Sequence, residues 1–305
     1  MIYTLTTNPA IDMIMCSDEL RRGVVTRTRD TVYTPNGKGL NVSFTLKHFG
    51  VPSTVLGFFG GFSGEYIVSG CAERRVPVLP IWVEDTTRIN VFLNDGIGEY
   101  TMVSAGSMVP NDKQTELLHL LKTLEDPDYL CISGSLPRGI DPSYYEQLLQ
   151  VCVERGTKVI LDISSPKLKE LLSYRPLLIK PNNDELRDIF GLETDTEQQV
   201  LSAMATLHRL GAQNVLLTMG ERGSFFSDGS ACYACSAYPV KLLSSACAGD
   251  ACLGAFLSVW LQDRTAVEEA LKRGAAAGAD TAESAGLGKF ENVPVYSRAL
   301  TVRKL

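Results

Sequence analysis

Residues 141–163, DPSYYEQLLQVCVERGTKVILDI, contain a punctuated helix followed directly by a strand. Asp141 can cap the helix, Pro142 suits its first position, and Gly156 can close its end. The apolar run Lys158 to Ile163 comes next. The same grammar recurs in GLNVSFTLKHFGVP (39–52), where Leu40 with Phe44, and Val42 with Leu46 and Phe49, keep helical spacing before Gly50 and Pro52. Further short apolar runs lie at Ile2 to Thr7, Thr54 to Phe59, Tyr129 to Ser133, Leu177 to Lys180 and Val215 to Met219. Strands alternating with helices predict an α/β fold: a mainly parallel sheet covered by helices on both faces.

Two stretches break the alternation. Val24 to Thr34 and Arg88 to Val103 read as strands with polar alternation, the second turning back at Asn94-Asp95-Gly96, and neither brings a helix of its own. They predict a small accessory sheet, placed as a lid over the carboxyl ends of the parallel strands. With no repeat, low-complexity tract or long linker, the reading is one domain over 1–305, with lid strands from about 12–35 and 87–105.

The chain has 305 residues, 45% of them hydrophobic, which is enough for a sizeable core. A net charge of -6 supplies no basic excess for nucleic acid or an anionic membrane, so the expected partner is a small molecule. The first residues lack a basic leader region and are interrupted by Asn8, Pro9 and Asp12, and Ala251 to Leu261 is too short to span a bilayer. A cytoplasmic location is expected. Eight cysteines are scattered, and the close pair Cys232 and Cys235 has no second CxxC or HxxxH to complete a zinc site. GFFGGFSG (57–64) has the wrong glycine spacing for a dinucleotide fingerprint, which removes the nicotinamide reading.

The chemistry-bearing signals sit at turns. In LLSSACAGDACLGAFLSVWL (242–261) small residues open an apolar helix at Ala248-Gly249-Asp250. Backbone N–H groups there can meet a transferring phosphoryl group, and Asp250 can either cap the helix or take a proton from an acceptor hydroxyl. In YTPNGKGLNVS (33–43) the glycines allow close approach to sugar hydroxyls, Lys38 adds positive charge and Asn41 an amide; the spacing is not that of a Walker A loop. TMGERGSFF (218–226) offers glycines for a nucleotide phosphate or simply for a hairpin turn. In LLIKPNNDEL (177–186), Asn182 and Glu185 suit either magnesium through its water shell or a helix cap. Arg138, in ISGSLPRGID (132–141), is a candidate for a phosphate already on the substrate, with Arg27 and Arg88 able to converge on it.

In order, NPAID (8–12), NGKGLN (36–41), TRIN (87–90), GSLPRG (134–139), KPNNDE (180–185), TMGERG (218–223) and CAGD (247–250) resemble the PfkB branch of the ribokinase-like carbohydrate kinases, in its phosphosugar division. The resemblance covers almost the whole chain. It implies a three-layer α/β/α domain with a β-sheet lid, and ATP-dependent phosphorylation of a ketohexose phosphate. Fructose 1-phosphate giving fructose 1,6-bisphosphate is the first expectation, tagatose 6-phosphate and fructose 6-phosphate the alternatives. It also implies roles: Asp12, Gly37, Lys38 and Asn41 on the sugar; Arg88, Arg138 and Arg27 on its phosphate; Asn182 and Glu185 organising magnesium and nucleotide phosphates. Thr218, Gly220 and Gly223 would lie along ATP, Cys247, Ala248 and Gly249 would form an anion hole, and Asp250 would be the base. An exposed lid edge would suit a homodimer.

The family usually has glycine where this chain has Asn36 and Cys247. If position 247 takes a positive φ, cysteine there adds strain of about 1 kcal/mol. A non-catalytic sugar-phosphate-binding homologue is the reading of another class. Retention of Lys38, Arg88, Arg138, Glu185 and Asp250 speaks against it.

Overall fold

The computed structural model describes residues 1–305. Its main sheet has ten strands, in spatial order Val302–Lys304, Cys232–Cys235, Ser224–Ser227, Val215–Thr218, Leu178–Ile179, Lys158–Asp162, Tyr129–Ser133, Ile2–Thr6, Thr54–Gly60 and Val78–Val83. The pairs from Val215–Thr218 to Val78–Val83 are parallel; the three strands at the other edge are antiparallel. All six runs expected to form parallel strands do so. Cys232 and Cys235, read from the sequence as strand thiols, are buried in the strand Cys232–Cys235, whereas the edge strand Val302–Lys304 was not anticipated.

Side-chain alternation along the strands builds a core on each face of the sheet. Leu130, Ile132, Val159, Leu161, Val215 and Leu217 point into one core, and helices Asn111–Thr123, Tyr144–Arg155 and Glu197–Leu210 complete it. Cys131, Ile160 and Leu216 point into the other, against Lys38–His48, Ala248–Trp260 and Val267–Ala282. Three layers result. The helix read from residues 141–156 runs Tyr144–Arg155, and Gly156 ends it in the left-handed conformation at φ 69°. No helix is long and apolar enough to cross a membrane.

A separate four-stranded sheet is ordered Thr28–Asn36, Ala10–Ser17, Arg88–Asn94 and Glu99–Met102. Its second strand, AIDMIMCS, lacks regular alternation and was legible only as the start of the accessory region. Ala10–Ser17 grows out of Ile2–Thr6 with three residues between, and Thr28–Asn36 leads straight into helix Lys38–His48. The small sheet is thus anchored where the order of parallel strands reverses around Ile2–Thr6, the place where open α/β sheets bind ligands.

Candidate active site

Helices Lys38–His48 and Ala248–Trp260 lie side by side. Gly254 permits this: a Cβ there would stand 2.9 Å from the Val42 carbonyl oxygen and closer still to Thr45. The approach puts Asn41 against Asp250, Asn41 Nδ2 donating to Asp250 Oδ2 at 2.9 Å. Both helices present free backbone N–H groups and the positive ends of their dipoles to the same region. An anion is favoured there.

Asp250 is buried in the first turn of its helix. Burial pushes its carboxyl up to about 6, against the charges of Lys38 and Lys180 and the Asn41 hydrogen bond, which favour ionisation. A carboxylate so raised is a better proton acceptor than an exposed aspartate, and it is ionised at neutral pH. Cys247, just before this helix, has φ 64°, so a non-glycine residue does occupy the left-handed conformation there. The strain anticipated from the sequence is present at the entrance to the proposed anion hole.

Beneath the two helix ends lies a charge cluster at the carboxyl ends of the parallel strands. Asp162, fully buried at the end of Lys158–Asp162, accepts from Lys180 Nζ at 3.1 Å and Lys38 Nζ at 3.3 Å. Burial alone would raise its carboxyl, but the two ammonium groups hold it below the usual carboxylate range. Lys38 is in turn pushed up, first by Asp162 against the cost of its own burial, with Asp250 and Glu185 adding to the effect. The Lys180 ammonium reaches to 3.3 Å from where a Cβ on Gly249 would be, so the glycine leaves the charge open to a group bound at the helix end.

On the small-sheet side, Asp12 is buried, and Asn90 Nδ2 donates to its Oδ1 at 2.8 Å while Asn36 Nδ2 donates to Oδ2. Burial raises Asp12 despite these donors and the nearby Arg88 charge. Arg88 itself donates to the carbonyls of Asn8 and Ser104, at 3.0 Å each. Arg88 Nε and Asn90 Oδ1 are buried without partners. Orphaned polar atoms of this kind call for a polar ligand or water.

The other arginines stand further out. Arg138 is exposed, pairs with Asp85 at 2.7 Å and donates to the Gly106 carbonyl. Arg27 is exposed in the irregular stretch before Thr28 and makes no ion pair or hydrogen bond. Gly37 caps helix Lys38–His48, Thr218 ends its strand, and Gly220 and Gly223 bracket the short turn after it.

Asn182 and Glu185 form a reciprocal capping box: Glu185 N–H donates to Asn182 Oδ1 at 2.8 Å, and Asn182 N–H to Glu185 Oε2 at 2.9 Å. Ser164 donates to Glu185 Oε1. The capping alternative left open by the sequence is therefore realised, without removing Glu185 from the charge cluster. No group of three acidic, histidine or cysteine side chains could hold a metal ion alone. Asp162 Oδ2, however, is buried without a hydrogen-bond partner. An unpartnered carboxylate oxygen and the Glu185 carboxylate match the sparse protein ligation that magnesium takes when it arrives with phosphates and keeps its waters.

Asp162, Lys180, Asn36 and Asn90 were not assigned roles from the sequence. For Asp162 a signal existed, since it is a charged residue closing the apolar strand KVILD at its carboxyl end.

The chain's similarities place these residues in a family context. A model described as pfkB family carbohydrate kinase matches residues 5–292. A D-tagatose-1-phosphate kinase of Klebsiella oxytoca is 49% identical over the whole of both chains, and a 1-phosphofructokinase of Bacillus subtilis 33% identical over the whole of both. Phosphofructokinase-2 of Escherichia coli, in a crystal structure with substrates and products, superposes with a TM-score of 0.89 at 28% identity, covering 98% of each chain.

Proposed function

Because the chain belongs to the pfkB family of carbohydrate kinases, we propose that it transfers the γ-phosphoryl group of ATP to the free primary hydroxyl of a ketohexose 1-phosphate, giving the 1,6-bisphosphate. The observation that carries this is the meeting of a buried, proton-accepting Asp250 with two helix N-termini and the Lys180 ammonium at one point. Phosphoryl transfer asks a protein for little else than positioning and charge.

In this reading the acceptor hydroxyl lies beside Asp250, which takes its proton as the oxygen attacks the γ-phosphorus. The bond from that phosphorus to the β-phosphate oxygen breaks, and ADP leaves. The N–H groups of Ala248, Gly249 and Asp250, with Lys180, face the charge spread over the transferring oxygens. Asp12, Asn41 and the Gly37 turn hold the sugar, while Arg88, with Arg138 and Arg27 from the rim, meets the phosphate already present. Thr218, Gly220 and Gly223 line the nucleotide phosphates. Glu185 and Asp162, joined by Asn182, would hold magnesium, which when bound would supply positive charge for the nucleotide phosphates and the departing group.

The preference for a 1-phosphate is supported by the names of the relatives at 49% and 33% identity, which concern the two ketohexose 1-phosphates. D-Tagatose 1-phosphate and fructose 1-phosphate differ only in configuration at C4, so both belong to the proposed class. The test is ³¹P NMR of the products from ATP and either sugar phosphate. A bisphosphate forming together with ADP is expected; ADP without a bisphosphate, or no ADP, would overturn the reading.

The small sheet acts as a lid over this site and as the face of a homodimer in the cytoplasm. On the face away from Asp12 it exposes Tyr33, Tyr100 and Met102, an apolar set that a second copy would cover. Light scattering should give twice the chain mass, and a monomer at tens of micromolar would remove the dimer.

A further inference from the structure

Asn36, in sequence only a replacement for a family glycine, has its side chain at the middle of the site. Its Oδ1 receives the Gly37 N–H at 2.5 Å and Asn41 Nδ2 at 2.8 Å. Its Nδ2 donates to Asp12 Oδ2 and lies 3.5 Å from Cys247 Sγ. The same Asn41 nitrogen donates its second hydrogen to Asp250 Oδ2.

An amide side chain has one donating and one accepting end, and neighbours decide which way it faces. The Gly37 N–H can only donate, so it fixes Oδ1 of Asn36 on the helix side. That oxygen can only accept, so it turns the NH₂ group of Asn41 toward itself and, with the other hydrogen, toward Asp250. Without the Asn36 oxygen, the Asp250 carboxylate is the only one of these two acceptors left to the Asn41 NH₂ group, so the plane of the Asn41 amide is no longer pinned from two sides. The hydrogen bond to Asp250 can then swing, and the base is no longer held in line.

We propose that Asn36 is a positioning residue for phosphoryl transfer: through Asn41 it fixes the hydrogen bond that aims Asp250 at the acceptor hydroxyl, with Cys247 bracing the Asn36 amide from the anion-hole side. The two family glycines that this chain replaces are 211 positions apart, and their replacements touch. A bulky, polar Asn36 and a strained Cys247 thereby support one another. The inference rests on the kinase reading.

Steady-state kinetics with ATP and D-tagatose 1-phosphate on wild type, Asn36→Leu, Asn41→Ala and the double variant test it. Leucine keeps the volume and removes every hydrogen bond. It should lower kcat about tenfold or more with KM for ATP within about twofold, the pattern of an interaction made only in the transition state. On the Asn41→Ala background the same change should alter kcat by less than about twofold, because residues acting as one unit do not add. Asn36→Ser, whose hydroxyl can still accept from Asn41, should recover part of the loss, and it takes over the cycle if Asn36→Leu does not fold. A kcat for Asn36→Leu within about twofold of wild type, or a loss that multiplies on the Asn41→Ala background, would overturn the proposal. Absence of wild-type turnover on any ketohexose phosphate would instead overturn the kinase reading and this inference with it, a failure distinguishable from turnover that is indifferent to Asn36.

Discussion

Asp250→Asn should lower kcat by about 10²- to 10⁴-fold, the range for loss of a general base, and leave KM for ATP nearly unchanged. The variant keeps the shape of the side chain and loses only the capacity to take a proton. In the wild type, the same chemistry sets an acid limb on kcat. Burial holds the Asp250 carboxyl at about 6, so turnover should fall as pH drops through that value and level off above it. Stability should move the other way. A carboxyl whose folded value is raised binds a proton more readily folded than unfolded, so ionising it weakens the native state as pH rises from the ordinary carboxylate range through 6. Asp250→Asn should therefore melt no lower than wild type at neutral pH, which separates lost chemistry from lost fold. A variant that retains kcat, or an acid limb unchanged in it, would show that another group takes the proton.

Lys180→Met is expected to affect both rate and fold. Lys180 is buried and holds the fully buried Asp162 at 3.1 Å, so its loss leaves that carboxylate with Lys38 alone. Breaking a buried ion pair from one side costs about 3–5 kcal/mol, because the remaining charge stays out of water without its partner. Thermal denaturation should show a clear drop in Tm. The Lys180 ammonium also faces Gly249 at the helix end. If it meets the transferring phosphoryl group, kcat should fall by about 10²-fold or more, as for loss of one preorganised electrostatic contact. Lys180→Arg should keep the charge while displacing it, restoring stability more than rate. Full kcat in Lys180→Met at a temperature where it is folded would confine the lysine to a structural part.

The sheet was legible because its strands carry the period-two alternation that a two-faced core demands: Leu130 and Ile132 go to one side, Cys131 to the other. The strand Ala10–Ser17 was harder, since it belongs to the small sheet yet exposes none of its residues, and so lacks the polar alternation of its neighbours. At the site, Asp250, Lys38 and Asn41 stood out because each lies in the first turn of a helix, where sequence punctuation is strongest. Asp162 and Lys180 stood out less. Their significance comes from contact between the ends of neighbouring parallel strands, which no local spacing records. The Asn36–Cys247 contact is of the same kind, and each residue alone looked like an unexplained departure from glycine.

The proposed phosphorylation of a ketohexose 1-phosphate is tested most directly by the ratio of kcat/KM for ketohexose 1-phosphates to that for ketohexose 6-phosphates and free ketohexoses, from coupled ADP release at saturating ATP. D-Tagatose 1-phosphate or fructose 1-phosphate should lead by about tenfold or more, the discrimination available when a site's charged groups are matched to one phosphate position. A lead for a 6-phosphate or a free sugar, or tight binding of every sugar phosphate without ADP release, would contradict it.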